Sequence, residues 1–377
     1  MYCRDIKMVD LAGQHRRIKD ELSHAIGAVM DSGSFINGAE VERFGTHLAS
    51  YLNVSHVVPC ANGTDALQIA LMRSGLQRGD EVIVPAFTYA AAVEAAILLG
   101  LTPVAADVDE RTFNLSPSSV EEAISGRTKA IIAVHLFGQC CDMCGLTDIA
   151  RRHNLFVIED NAQSLGSACT FPGGETRLAG AIGHVGTLSF FPTKILGCCG
   201  DGGALVTNDE ALAKDLQMTT VHGQDFKYHH KITGCNSRLD TIQAAILDIK
   251  LGHIGDFISA RRAVAAAYNE ALGEIDALSL PLCQSPATHV YHQYTVLVND
   301  GRRDALRKYL AGNGVPSAVY YPFALDDQPA FAPYLRPAGS LSAAHSLTKN
   351  AVSLPIHTEM TPLEVEYISE CVAAFFR

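Results

Sequence analysis

From residue 56 onward, short apolar runs rich in β-branched residues alternate with stretches whose apolar positions recur at helical spacing. The runs fall at 56–59, 81–85, 102–108, 130–136, 155–159, 186–191 and 203–207, and the helical stretches at 64–74, 90–99, 117–124, 144–153 and 209–217. Alternation of this kind predicts an α/β unit with a mostly parallel sheet and helices on both faces. The run Ala130-Ile131-Ile132-Ala133-Val134 carries no polar residue, as a strand buried on both sides requires. The rhythm changes near Gly255, where a long helical pattern reaches Leu272 and leads to a strand at 291–298, a helix at 303–311 and a last helix at 361–376. The expected division is residues 1–255, a helical arm up to Leu52 followed by a large unit, and residues 256–377, a smaller carboxy-terminal α/β unit.

With 377 residues, 48% hydrophobic and 18% charged, the chain can bury a core in each unit and is unlike a disordered protein. A formal net charge of −11 opposes a nucleic-acid surface, whose affinity comes from lysine and arginine neutralising phosphates. Residues 1–20 show no basic start followed by an apolar stretch, and the longest apolar region, 89–106, is interrupted by Glu94 and Pro103. The expectation is a cytoplasmic protein with no export signal and no membrane span. The 11 cysteines, odd in number and scattered, suit reduced thiols packed as small hydrophobes. Cys141-Asp142-Met143-Cys144 has the spacing of a redox or zinc pair. A metal site would want a second such pair, which the sequence lacks, so these read as loop cysteines and no metal is expected.

In open parallel sheets, ligands bind at the carboxyl ends of the strands, where loops and helix N-termini converge. Four motifs fall at such ends. Ala61-Asn62-Gly63-Thr64-Asp65 opens a helix; it is either an ordinary cap or a phosphate site in which free amides and the Thr64 hydroxyl hold the anion and Gly63 lets it approach. Pro85-Ala86-Phe87-Thr88-Tyr89 presents two aromatics, of which Tyr89 is placed to stack on a flat ring unless both belong to the core. The strand at 155–159 ends in Glu159-Asp160, acids that the period of two sends to opposite sides. Asp160 is the candidate to hold a protonated ring nitrogen, with Gln163 in reach of a ring hydroxyl, and a helix-capping aspartate is the plain alternative. Finally, Ser189-Phe190-Phe191-Pro192-Thr193-Lys194 delivers a lysine into apolar company. There its pKa falls, its neutral amine can take an aldehyde, and it can then carry protons; taken alone it would pass for a surface lysine. Gly197-Cys198-Cys199-Gly200-Asp201-Gly202-Gly203 precedes a strand, so it is a tight turn folding the lysine loop back and no dinucleotide fingerprint.

Phosphate turn, stacking aromatic, strand-end acid and lysine, in that order, meet the needs of pyridoxal phosphate: one amine for its aldehyde and one carboxylate for its ring nitrogen. The order is that of the aspartate-aminotransferase-like pyridoxal-phosphate fold (fold type I). Over nearly its whole length the chain resembles the DegT/StrS sugar-nucleotide aminotransferases. The matching stretches are Asn62 to Leu67, Pro85 to Tyr89, Val134-His135-Leu136-Phe137-Gly138, Glu159-Asp160-Asn161-Ala162-Gln163, Ser189 to Lys194 with Gly200 to Gly203, and Asn236-Ser237-Arg238-Leu239-Asp240 with Gln243-Ala244-Ala245. The resemblance implies that Lys194 carries the cofactor as a Schiff base, that Asp160 partners the ring nitrogen and that Gln163 touches the ring or its hydroxyl. It further implies that Gly63, Thr64 and Ser189 hold the phosphate and that Tyr89 stacks. Asn236 corresponds to the family residue that reaches the phosphate of the neighbouring subunit's cofactor, which implies a homodimer with two shared active sites. L-Glutamate is the family's usual amino donor and a nucleotide-linked keto-hexose its acceptor. Members with histidine in place of the lysine act as dehydratases; Lys194 favours transamination.

Val221-His222-Gly223-Gln224, Tyr228-His229-His230 and the glycine-rich turn look most like the enzymes that aminate carbon 3 of a UDP-linked 2-acetamido-3-oxo-glucuronate. Lys227, His229 and Arg238 are then candidates for the diphosphate or the sugar carboxylate, or else form a solvated basic loop. Tyr321 joins them as a substrate candidate. It opens Tyr321-Pro322-Phe323-Ala324-Leu325-Asp326, in which Asp326 stands where the family often has histidine. Cys140, Cys141 and Cys144 replace small or polar family residues and read as neutral. Two other functions stay open: amination of a non-nucleotide ketone such as a cyclitol, and a non-catalytic regulator or scaffold on the same fold.

Overall fold

The computed structural model describes residues 5–377, so the first four residues of the amino-terminal arm lie outside the described residues. The arm consists of α1 (Leu11–Arg17), α2 (Lys19–Ser32) and α3 (Ala39–Leu52). Phe44, Leu48 and Leu52 recur every four residues along α3 and bury one stripe of it. That stripe packs on Ala244, Leu247 and Leu251.

The large unit is built from β1 (His56–Cys60), α4 (Gly63–Arg73), β2 (Glu81–Pro85), α5 (Ala91–Leu98), β3 (Thr102–Ala106), α6 (Pro117–Ala123), β4 (Thr128–Val134), α7 (Met143–His153) and β5 (Phe156–Asp160). A small hairpin, β6 (Ala168–Thr170) and β7 (Thr176–Leu178), precedes β8 (Val185–Ser189), β9 (Gly203–Thr207) and α8 (Glu210–Thr220). A second hairpin, β10 (Gln224–Phe226) with β11 (His229–His230), leads to α9 (Thr241–Gly252). The main sheet runs β1-β9-β8-β5-β4-β2-β3, with only the β9 pairings antiparallel among these strands. This is the mostly parallel α/β sheet expected. Ala130 and Ile132 of β4 enter the core on one face, while Ile131 and Ala133 enter the core on the other. Apolar residues at every position of a strand thus fill two layers at once.

The remainder comprises α10 (Ile254–Leu272), β12 (Leu278–Ser279), β13 (Tyr294–Val298), α11 (Arg303–Gly312), β14 (Arg336–Pro337), α12 (Ser342–Asn350), β15 (Ala351–Leu354) and α13 (Pro362–Phe376). A second core forms around the antiparallel sheet β12-β13-β15, filled by Tyr268, Tyr294, Val296, Leu306, Val352 and Ile368. The strand expected at 291–298 begins only at Tyr294. Tyr291 adopts φ +51°, which no strand residue can hold. α13 opens with a full capping box: the Thr361 side chain accepts from the Glu364 amide, and Glu364 reaches back to the Thr361 amide.

β14 adds to the edge of the large sheet beside β3 and so stitches the later part of the chain to the earlier one. Glu81, buried at the start of β2, fixes that stitch. Its carboxylate accepts from Ser125 Oγ at 2.6 Å, Arg127 Nη2 at 2.9 Å and Arg336 Nη2 at 3.0 Å. Burial works to raise its pKa, but the Ser125 hydroxyl and the Arg336 and Arg127 guanidinium groups outweigh it and the net shift is downward. A carboxylate so lowered stabilises the fold above the ordinary carboxylate range, and that contribution fades as pH falls. Glu81→Gln is expected to lower unfolding stability by about 2–3 kcal/mol near neutral pH. In urea titrations the gap from the wild type should narrow as the pH is taken down through the carboxylate range.

Candidate active site

Parallel pairing sets β8 directly beside β5, with Asp160 opposite Thr187. The segment leaving β8 therefore emerges next to Asp160, and it turns sharply. The Lys194 amide donates to Phe191 O at 2.9 Å. At Gly197 a Cβ would lie 2.3 Å from Pro192 O, so only glycine closes the loop. Cys198 donates both its amide and its Sγ to Phe190 O, at 2.8 and 2.9 Å. Beneath the turn, the fully buried Lys250 donates from Nζ to Gly197 O at 2.6 Å. The glycine-rich run is thus the fold-back expected, and it holds Lys194 against the sheet. Burial lowers the Lys194 pKa to about 8, with the Asp160 charge pulling the other way.

Asp160 is 8% exposed and accepts a hydrogen bond from the Ala162 amide at 3.1 Å. Burial raises its pKa, and the Ala162 amide and then Lys194 oppose the rise. Glu159 points to the other side of the strand, as the period of two requires. There it is fully buried and accepts from the amides of Gly180, Ile182 and Gly183 at 2.6–2.9 Å. It also receives His135 Nε2 at 2.9 Å. Because His135 Nδ1 accepts the Cys141 amide at 3.0 Å, the ring proton sits on Nε2 and points at Glu159. His135 also donates its own amide to Asp160 O at 3.0 Å, so the pair anchors the end of β5 from behind.

Around these two groups the remaining candidates take up distinct places. Gln163 Oε1 accepts the Phe137 amide at 2.8 Å, and its Nε2 donates to the Tyr321 hydroxyl at 3.2 Å. Tyr321 is the junction between the two parts of the chain: its ring centroid lies 5.9 Å from that of Phe87 and 6.3 Å from that of Tyr89. Tyr89 is 61% exposed, leaving a face free to stack. Gly63 packs against Ser189, whose Cβ would lie 2.7 Å from a Cβ at position 63. Asn62 caps α4 by accepting the Asp65 amide at 2.8 Å. Gly63 and Thr64 occupy the first helical positions, whose amides have no partner within the helix. The Ala61 amide donates to Ser237 Oγ at 3.1 Å, which places the 236–238 segment beside this turn.

Lys227, His229 and Asn236 lie instead on exposed surface, the first two with local side-chain partners. Lys227 Nζ stands 5.2 Å from the centre of the Tyr228 ring, and His229 Nδ1 meets Asp225 at 2.7 Å on the β10–β11 hairpin. Arg238 lines a groove with Asn37, Lys231 and Glu42. Asp326 is met by His345 Nε2 of α12 at 3.0 Å. Two features near Lys194 were not singled out in the sequence: the His135–Glu159 support, and His292, which is buried and electrostatically coupled to Lys194. The β5 alternation could have pointed to the first, whereas His292 depends on long-range packing.

The residues present fit pyridoxal phosphate. A cradle closed by Gly63 and Ser189 at a helix N-terminus suits a phosphate, a buried carboxylate with one amide donor suits a cationic ring N–H, and a desolvated amine suits an aldehyde. That cofactor supplies an exchangeable aldehyde and an electron-withdrawing ring. With it bound, Asp160 would hold the ring nitrogen, Gln163 and Tyr321 would stand at the ring edge, and Lys194 would hold or move a proton at Nζ. Uptake of pyridoxal phosphate by the cofactor-free protein, followed by visible absorbance, is expected to rise with pH through about 8 as Lys194 loses its proton. In Asp160→Asn, loss of the neighbouring negative charge should shift that midpoint to lower pH.

Comparison with known proteins agrees with this geometry. The profile of the DegT/DnrJ/EryC1/StrS aminotransferase family matches residues 16–373. A pleiotropic regulatory protein of Geobacillus stearothermophilus is 41% identical over 375 residues, 99% of each chain. The UDP-2-acetamido-2-deoxy-3-oxo-D-glucuronate aminotransferase of Pseudomonas aeruginosa is 42% identical over 363 residues, 96% of this chain and 98% of its own. The crystal structure of a DegT DnrJ EryC1 StrS aminotransferase from Brucella abortus superposes with a TM-score of 0.94 at 40% identity, covering 98% of this chain and 99% of the other. Among the described residues no helix is long and apolar enough to cross a membrane. The chain belongs to the DegT/DnrJ/EryC1/StrS aminotransferase family, with the fold and the pyridoxal-phosphate dependence that go with it.

Proposed function

We propose that this protein transfers an amino group from L-glutamate to a nucleotide-linked keto-hexose, with a UDP-linked 3-oxo sugar as the favoured acceptor. The observation that carries the reading is the meeting of a partly desolvated amine at Lys194 with the buried Asp160 carboxylate, next to the Gly63–Ser189 cradle. The choice of acceptor is supported by two relatives with about 40% identity, both named as aminotransferases of UDP-linked 3-oxo sugars. In this reading residues 1–255 hold the cofactor, and residues 256–377 bring Tyr321 to the acceptor side. The enzyme works as a cytoplasmic homodimer: Asn236 reaches the partner's phosphate site, and Lys227, His229 and Arg238 face the diphosphate or sugar acid across the interface. Their exposed positions in a single chain suit that role.

At the reacting centre the chain's own groups divide the task. Asp160 holds positive charge on the ring nitrogen, which lowers the cost of removing a proton from the donor's α-carbon. Lys194 takes that proton at Nζ and returns it to a neighbouring carbon, for which a pKa near the working pH is the efficient value. A regulatory role is the second reading, favoured by the name of the Geobacillus relative.

Glutamate should convert the cofactor-loaded protein to its aminated form. Addition of a UDP-linked 3-keto sugar should then restore the original absorbance, whereas dTDP-linked and free ketoses should restore it more slowly. Restoration by a free cyclitol ketone alone would contradict the nucleotide acceptor. Failure of every ketone, with partner regulation intact in Lys194→Ala, would favour the regulatory reading. Lys194→Ala itself is expected to lose at least about a thousandfold in turnover while remaining folded.

A further inference from the structure

Four thiols gather at the start of α7, three from one stretch of sequence and the fourth from far along the chain. Cys140, Cys141 and Cys144 lie close in sequence; Cys169 arrives with β6. The β6–β7 pairing holds it on one side, and a bridge to Ala287 holds it on the other. Cys144 Sγ lies 3.8 Å from Cys169 Sγ. Cys144 is partly exposed in the first turn of α7, where Asp142 caps the helix by accepting the Gly145 amide at 2.9 Å. Cys169 is 1% exposed.

Cys140 and Cys169 nevertheless line a cavity of about 170 Å³, walled by Thr112, Asn114, Gln284 and Pro286. A small polar molecule needs far less room. Hydrogen bonds from Cys140 and, more weakly, Cys144 bring the Cys169 thiol below its ordinary value against the effect of burial. Burial and the neighbouring Cys169 hold the Cys144 thiol above its own. Cys140 and Cys144 thus both stand beside the Cys169 sulfur, with Cys144 3.8 Å from it. The arrangement does not suit a metal ion. Among the described residues the only potential ligand atoms that converge on one point belong to Asp326, Asp327 and His345.

We propose that Cys169 and Cys144 form an oxidation site that reacts with a small hydroperoxide, such as hydrogen peroxide, and closes to a disulfide. The Cys169 thiolate attacks one peroxide oxygen, the O–O bond breaks, and hydroxide leaves to take up a proton as water. Sulfur is oxidised to the sulfenic acid as the peroxide is reduced. The Cys144 sulfur then attacks the Cys169 sulfur, the S–O bond breaks, and a second water leaves with the Cys144 proton. Two thiols have lost two protons and two electrons, and one peroxide has become two waters. Because a disulfide needs about 2.0 Å between sulfurs, the pair closes by roughly 1.8 Å from its 3.8 Å separation. That motion falls on the partly exposed first turn of α7.

The test uses the cofactor-loaded full chain, treated with hydrogen peroxide and mapped by non-reducing peptide mass spectrometry. A Cys144–Cys169 linked peptide is expected; dithiothreitol should remove it, and Cys144→Ser and Cys169→Ser should each abolish it. In Cys144→Ser, a dimedone-type sulfenic-acid probe should label Cys169 on the order of tenfold faster than the exposed Cys283. Absence of the linkage while the cofactor absorbance persists would overturn the proposal. So would prior labelling of Cys199 or Cys283 with Cys169 untouched, or modification of Cys169 only after loss of the near-ultraviolet circular dichroism. Cys169→Ala provides a second variant if the serine perturbs folding.

Discussion

The structure turns on the cost of keeping an amine and a carboxylate in the same desolvated cleft. Lys194 loses proton affinity by burial, Asp160 gains it by burial, and each partly offsets the other. Neither group would stay there without support from behind. The Lys194 loop is pinned by Lys250 beneath Gly197 and by Cys198 on Phe190 O. The end of β5 is pinned by His135 and by a Glu159 carboxylate saturated with donors. The chemistry faces one side of the sheet end, and the hydrogen bonds that hold it in place occupy the other.

Position follows from topology in the same way. Parallel pairing of β4, β5 and β8 brings their carboxyl ends to one edge, and α4 enters with its N-terminus at that edge. Tyr321 crosses from the later part of the chain, bonded to Gln163 and set among Phe87 and Tyr89. Glu81, with Arg336 on β14, ties the same two parts together at the far end of β2. The cleft is thus bounded by elements that are fixed to one another at both ends.

Much of this was legible in the residues because it is local. Strand periodicity placed β4 and β5 and separated Asp160 from Glu159; a turn too tight for any side chain at Gly197 explained the glycine-rich run. What was not legible depends on residues brought together by packing alone. His292 comes near Lys194 from more than ninety positions later, and no periodicity announces it. Cys141 and Cys144 read as loop cysteines because their missing neighbour, Cys169, belongs to another hairpin. The strand at 291–298 was placed three residues early because a positive φ at Tyr291 leaves no trace in an aromatic sequence pattern. Asn236, Lys227 and His229 remain exposed in one chain, so their proposed work depends on a second copy.

In the proposed function one particular lysine, out of those the chain carries, holds the cofactor's aldehyde. Borohydride reduction of the cofactor-loaded protein, followed by peptide mapping, tests it most directly. A single phosphopyridoxyl group on Lys194 is expected. A label on Lys250, or spread over surface lysines with Lys194 unmodified, would contradict it.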